Sequence, residues 1–393
     1  MMKKIFIKII SSTIFILTSI DVSGQLSLLT LKPEDQIERE VYIKGFIQAD
    51  FMTSFQNMRS KDGFSAYSIE IPQTNAISSN FSVRQTTFGI GFKQKNSQND
   101  QTLSVYTEID FAGPNNTTAP RFRHGYIQWK RWLAGQSWSN FSDIEMLPMI
   151  FDFMPPDGLL LTRRLQLRYT VPVSKKGNLS FSLEDPNTPS IRLPSDSLGW
   201  HKQSIIPTFS VLYRYGNEKS YIKAGAVISP MSYNMKHTLQ EEYKTKTTAG
   251  WGAMISGKIR TDTKNAFSLQ TSFGKGYSTY NTNLREEGYD AIPNVYNKNI
   301  LETLNLFNIV GVYEHWWASR WSSILFFSYS NIGYQDFIPK DMTKSFHNIS
   351  GNIIFHPYKK VRLGIEGNYG RRQNFRSEKA EGWRVQASTK VYF

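Results

Sequence analysis

The chain has 393 residues, a formal charge of +14, an aromatic content of 14%, and no cysteine. The missing thiol excludes lipoprotein anchoring, disulfides and thiolate metal centres. Beyond residue 24 no run of 18 apolar residues occurs, which excludes a helical membrane protein. The basic residues are scattered singly rather than clustered, so the charge does not point to nucleic acid.

The first segment has the layout of an export signal. Lys3, Lys4 and Lys8 precede an apolar stretch, Ile9 to Ile20, and Val22-Ser23-Gly24 supplies small residues for cleavage before Gln25. Residues 1–24 are therefore expected to be a signal peptide carrying net +2, leaving +12 on the exported chain. Residues 25–41 are expected to form a short periplasmic lead-in with a weak helical patch from Pro33 to Glu40.

From residue 42 apolar and polar residues alternate in segment after segment. Period two puts the two sets on opposite faces of a strand. The expected strands are 42–54, 81–93, 102–112, 121–130, 132–139, 162–172, 178–185, 205–215, 220–228, 247–260, 266–279, 304–315, 320–330, 345–356, 360–370 and 382–393. In the last, Trp383, Val385, Ala387, Thr389, Val391 and Phe393 share one face, and Arg384, Gln386, Ser388 and Lys390 the other. Connections after even-numbered strands are brief and polar, such as Gly216-Asn217-Glu218-Lys219. Most after odd-numbered strands are long: 55–80, 140–161, 186–204, 229–246, 280–303 and 371–381. An even strand count, short turns on one rim and long loops on the other describe an all-β, antiparallel transmembrane β-barrel of about 16 strands over residues 42–393.

The connection at 140–161 stands out. It holds Asp143, Glu145, Asp152 and Asp157, yet also Met146, Pro148, Met149, Ile150, Phe151, Phe153, Met154, Pro155 and Pro156. So apolar a loop is expected to fold inward and narrow the lumen.

Alternation also sorts charge, because an Arg facing lipid at mid-bilayer costs about 2–4 kcal/mol. Lys44, Arg121, Arg123, Arg164, Arg168, Arg214, Lys223, Lys258, Arg362, Arg384 and Lys390 fall on the inward face. The inward acids are Asp50, Glu108, Asp110, Glu184 and Glu366. This excess of cations predicts a basic lumen that attracts anions. Two qualifications belong to the same reading. Asp110 is expected opposite Arg123, and Glu184 near Arg164 and Arg168, as wall-stabilising pairs. The loop acids are expected to oppose the basic wall and lower its preference.

Three segments resemble the DcaP-like outer-membrane porin family: Arg121-Phe122-Arg123-His124-Gly125-Tyr126, then Gly135-Gln136-Ser137-Trp138-Ser139, then Arg164-Leu165-Gln166-Leu167-Arg168-Tyr169. The dense part of the resemblance covers about residues 80–172. It implies a trimeric porin for small anionic solutes, notably dicarboxylates, with Arg121, Arg123, Arg164 and Arg168 at the constriction. The residues before the barrel are too few, and lack the heptads, for the periplasmic coiled coil of some members. Gly135, Ser137 and Ser139 are read as small outward residues that let barrels pack together.

The expected function is thus an outer-membrane porin passing small anions by diffusion. Arg121, Arg123, Arg164, Arg168, Arg214, Arg362 and Arg384 are the pore-lining candidates, and Asp143, Glu145, Asp152 and Asp157 the constriction acids. No cofactor is expected; the partners are outer-membrane lipid, small anionic solutes and a homotrimer. A phosphate- or oligosaccharide-selective pore is the nearest alternative, with Tyr106, Tyr126 and Tyr313 as aromatic candidates. A barrel enzyme is disfavoured. His347 and Ser350 are offset by three residues, which sends them to opposite faces, and a Ser nucleophile needs a positioned base.

Overall fold

The structure is a computed structural model and describes residues 25–31, 37–96 and 101–393. The expected signal peptide lies outside the described residues, as does the first half of the helical patch, 33–36. Sixteen antiparallel strands form the wall. They begin with β1 (Ile37–Ser54), β2 (Ser78–Ser82 and Thr87–Asn96), β3 (Gln101–Asp110), β4 (Arg121–Trp129) and β5 (Trp132–Trp138). Next come β6 (Arg163–Pro172), β7 (Gly177–Glu184), β8 (Thr208–Gly216), β9 (Tyr221–Met235), β10 (Lys244–Arg260) and β11 (Asn265–Lys275). The wall ends with β12 (Asn305–Ala318), β13 (Trp321–Ile332), β14 (Thr343–Tyr358), β15 (Val361–Asn374) and β16 (Lys379–Tyr392).

Each strand pairs with the next, and β1 closes the barrel against β16, from Phe46↔Tyr392 to Ser54↔Arg384. On its other edge β1 pairs with β2, from Ile37↔Asn96 to Phe46↔Thr87 and again from Asp50↔Ser82 to Ser54↔Ser78. A further strand, Gln25–Leu31, takes the edge of β1 that β16 leaves open, with Gln25 opposite Lys44. This corrects the helical patch: Ile37–Glu40 is extended, because the ladder to β2 takes all four residues and the Gln25–Leu31 strand pairs with Arg39 and Glu40 on the other edge.

The strands match the alternating segments closely, but several run further at the long-loop rim. The connections expected at 229–246 and 371–381 shrink to 236–243 and 375–378. Above the bilayer both faces meet water, so alternation fades while pairing continues; Ser232 and Thr247, for example, are hydrogen-bonded across β9 and β10 at 2.8 Å. The outer wall carries the lipid-facing set, including Ile222, Ile255, Leu269, Leu325 and Ile365, all more than half exposed. Trp129, Trp132, Trp317 and Trp321 lie beside the short turns, where an aromatic girdle belongs. Tyr313 stacks on outward Phe267 at 4.8 Å, so it faces lipid and not the lumen.

Several long loops fold into the mouth. Phe64 and Ile69 from the loop after β1, Phe141 and Leu160 after β5, Tyr277, Tyr280, Leu284 and Ile292 after β11, and Phe337 after β13 share one buried cluster. Burying a large apolar side chain contributes about 1.5–3 kcal/mol, so the loops are driven inward by the same force that drives a soluble core. The loop at 276–304 includes a hairpin, Ala291–Asn294 with Ile300–Thr303. It backs the 140–161 loop directly: Leu161 N–H donates to the Tyr280 carbonyl at 3.2 Å.

Candidate functional site

The loop between β5 and β6 crosses the lumen as its composition requires, and its acids hold it there. Asp143 accepts from Lys223 Nζ at 2.6 Å, Tyr221 OH at 3.0 Å and Ser256 Oγ at 2.7 Å. Glu145 forms a two-bond pair with Arg214, at 2.9 and 2.8 Å, and lies 2.9 Å from Lys223. Burial would raise the Glu145 carboxyl, but Arg214 and Lys223 outweigh it and hold the group below the usual range. Asp152 accepts the backbone N–H groups of Phe64 and Met154, and burial pushes its carboxyl up to about 8 against the opposing pull of Arg384. Asp157 accepts from Ser65 Oγ, the Ala66 N–H and Asn283; with no cation to offset it, burial pushes it up to about 7. At the tip, Gln48 and Gln85 both donate to the Phe151 carbonyl at 2.7 Å, while Glu366 accepts from the N–H groups of Phe151 and Asp152.

Three of the four loop acids meet cations of the inward wall, Asp143 and Glu145 through Lys223 and Arg214 and Asp152 at 4.0 Å from Arg384. The loop thus opposes the basic wall as expected, by direct pairing rather than across open water. Each is turned toward wall or neighbouring loop and satisfied there, because a buried carboxylate must find donors or cations.

The loop leaves a cavity of about 430 Å3 against the wall. Six cations line it, Arg121, Arg123, Arg163, Arg362 and Lys390 from the wall and Arg285 from the 276–304 loop. On the loop side it meets an apolar surface that includes Leu147, Met149, Ile150 and Phe153. Asp110 pairs with Arg121 at 2.6 Å and with Arg123 at 2.8 Å, and Glu108 pairs with Arg123 at 2.6 Å. The expected cross-strand pair is therefore present, with Arg121 added. Arg163 donates from Nε to His124 Nε2 at 3.2 Å and lies over the Trp138 ring at 4.2 Å. Arg362 lies over Tyr392 at 4.8 Å, and Lys390 over Phe46 at 3.8 Å. Arg285 lies 3.6 Å from Glu286, whereas Arg163, Arg362 and Lys390 make no ion pair among the described residues, so half of the six cations are uncompensated.

A bulge aims part of this wall. Glu108 faces His124 while Ile109 faces Phe122, which leaves Arg123 as the extra residue. The insertion shifts the alternation by one, so Arg123 and His124 both point inward while Phe122 and Ile127 face out.

Of the seven candidate arginines, Arg121, Arg123 and Arg362 line the cavity. Arg168 is on the inward face, paired with Leu133 and Ser182, but lies off the constriction. The other three are structural. Arg164 is buried beneath the 276–304 loop, donating to the Thr279 carbonyl and Oγ1 at 2.9 Å each and lying over Tyr280. Arg214 is the clamp on Glu145. Arg384 is 1% exposed, donating to Ser54 Oγ and the Ser60 carbonyl. Glu184 does not pair with Arg164 or Arg168; it accepts from Ser139, the Asn140 N–H and Tyr280 OH at the loop roots. Ser137 and Ser139 are accordingly buried, and with Gly135 they belong to the lumenal face, since Ser137 pairs with Arg164 and Gly135 with Gln166. The small outward stripe does not exist.

Three cavity cations were absent from the candidate set. Alternation places Lys390 on the inward face, but nothing in the sequence distinguishes it from the other inward cations. Arg163 stands one residue out of step with the Arg164-Gln166-Arg168 face. Arg285 belongs to a loop, where no period exists to read.

The sequence profile of the DcaP outer membrane protein family matches residues 19–391. The chain belongs to that family. Its fold is similar to the crystal structure of the outer membrane channel DcaP of Acinetobacter baumannii, with a TM-score of 0.74 and 19% identity over 90% of this chain and 97% of that one. It is also similar to Pseudomonas putida OprB, with a TM-score of 0.53 and 9% identity over 94% of each chain. Salmonella typhi OmpF, in a complex with daunomycin, gives 0.53 and 10% over 93% and 100%. No curated protein matches the sequence. This DcaP-family member is thus a protein of the bacterial outer membrane whose barrel fold is shared with outer-membrane channels.

Proposed function

We propose that this porin passes small anionic solutes, dicarboxylates foremost, by passive diffusion and as a homotrimer, after removal of residues 1–24. The observation that carries the reading is the constriction: six cations line it, and the acids of the constriction loop are spent on anchoring. The net positive charge raises the local anion concentration. Unpaired cations on β6, β15 and β16 offer more than one place to hold a carboxylate, and the apolar loop surface suits the methylene groups between two carboxylates. The trimer rests on the family resemblance. The test is reconstitution in a planar bilayer, with conductance and reversal potential recorded in a salt gradient and succinate added. Anion preference with transient succinate block is expected. Cation preference would remove the substrate class, and a single-copy mass by native mass spectrometry in detergent would remove the trimer.

A further inference from the structure

A second cavity, of about 650 Å3, opens at the long-loop rim, on the far side of the packed loops from the constriction. At its base Arg372 is 7% exposed and has no ion-pair partner among the described residues. Two of its donors are committed to framing: Nε to Thr343 Oγ1 at 2.8 Å and Nη1 to the Ile69 carbonyl at 2.9 Å. Thr343 is itself fixed, its N–H donating to Tyr289 OH at 2.9 Å. The guanidinium lies over the Tyr67 ring at 5.0 Å, and Arg59 approaches the same ring at 5.6 Å. Tyr67 and Tyr289 meet edge to face at 6.1 Å, with Arg192 over Tyr289 at 5.9 Å. Arg376 completes the basic lining.

Four arginines gather around two tyrosines, and the buried Arg372 makes no ion pair among the described residues, so an incoming carboxylate would find charge-assisted donors there. Acids also line the cavity, but most are held by neutral donors. Glu287 accepts from Tyr67 OH, Glu70 from Asn57, and Glu378 from Asn374; Asp341 sits exposed on the rim. None forms an ion pair with the four arginines among the described residues.

We propose that this cavity is an external capture site for small carboxylate anions, distinct from the constriction and loaded before it. Arg372 and Arg59 hold the carboxylate across the Tyr67 ring, and Arg192 and Arg376 raise its encounter rate. The inference rests on the anion reading above for its solute class, and its test separates the two. Arg372→Gln risks unfolding the loops that Arg372 anchors; Arg59→Gln alters an exposed side chain and does not. With the full chain in a planar bilayer and succinate added to one side at a time, Arg59→Gln is expected to lower the rate of block from the long-loop side about fivefold. Block from the opposite side should be unchanged. Equal block rates for Arg59→Gln and the unaltered protein from the long-loop side would overturn the capture site. A crystal soaked in bromosuccinate gives a second reading. Anomalous density beside Arg372 supports the proposal, whereas density at the constriction alone defeats it and leaves the porin reading intact.

Discussion

Arg362→Gln tests the constriction most directly, because Arg362 lines the cavity, has no ion-pair partner among the described residues and anchors no loop. A cavity of 430 Å3 corresponds to a sphere of about 5 Å radius, which sets the distance from a lining charge to a permeating ion. In water, one unit charge at about 5 Å contributes about 0.8 kcal/mol, and screening over a Debye length of about 10 Å at 0.1 M salt reduces this to about 0.5 kcal/mol. Anion and cation feel the lost charge with opposite sign, so their permeability ratio shifts by about 1 kcal/mol, or about fivefold. At 1 M salt the Debye length falls to about 3 Å, and the same substitution should change the ratio by less than about twofold. The assay is the reversal potential of single channels in a salt gradient, at both mean ionic strengths. An unchanged ratio at 0.1 M would refute the electrostatic account. A change that did not weaken with salt would refute it too, and point to altered pore width.

The loop anchors make further predictions. Lys223→Met leaves Asp143 buried without its cation, at a cost of about 3–5 kcal/mol; larger, noisier conductance is expected, with partial recovery when Asp143→Asn is added. Asp152 and Asp157 have carboxyls raised to about 8 and about 7, against about 3.9 when unfolded. Between about pH 4 and about pH 8 the folded loop therefore holds protons that the unfolded chain has released, and stability falls as pH rises through that window. Urea midpoints measured at pH 5 and pH 8 should show the drop, and Asp157→Asn should flatten it. Gly135 has φ of +121°, and an added Cβ would lie 2.3 Å from the Gly125 carbonyl oxygen. Gly135→Ala is expected to cost about 1–3 kcal/mol in a urea unfolding series, and no loss would mean that the strand relaxes freely there.

The barrel was legible because lipid enforces alternation on every strand that crosses it. Leu165 and Leu167 face lipid and Gln166 and Arg168 do not, and this holds from β1 to β16 wherever the ladder is regular. Alternation reports the face of a residue and nothing about its depth or its cover. Arg164, Arg362 and Arg384 are equivalent by parity, yet one lies beneath the 276–304 loop, one faces the pore, and one is sealed by β1 and the loop that follows it. What separates them is the path of loops, whose buried residues, such as Phe64, Tyr280 and Leu284, carry no period. The bulge at Arg123 is invisible for a related reason: one inserted residue resets the parity, and Arg-Phe-Arg-His reads as regular alternation until the partner strand is seen.

The loop acids lower the net charge of the lumen by pairing with particular wall cations rather than by facing the pore. Counting acids against bases along the chain assumes that every charge is felt in the pore. A loop forced across an aqueous lumen must instead be held against the wall, and carboxylates suit that task because they accept several hydrogen bonds at once. Asp143, Asp152 and Asp157 each do so. Anchoring withdraws those acids from the pore. It also uses Lys223 and Arg214, which a simple count would have credited to solute binding. What remains at the constriction is set by the unpaired cations on β6, β15 and β16 and by Arg285 from the loop behind. The charge left at the constriction is therefore a residue of how the loop is fastened. Substitutions at the anchors should change pore width first, and ion preference only as the loop departs.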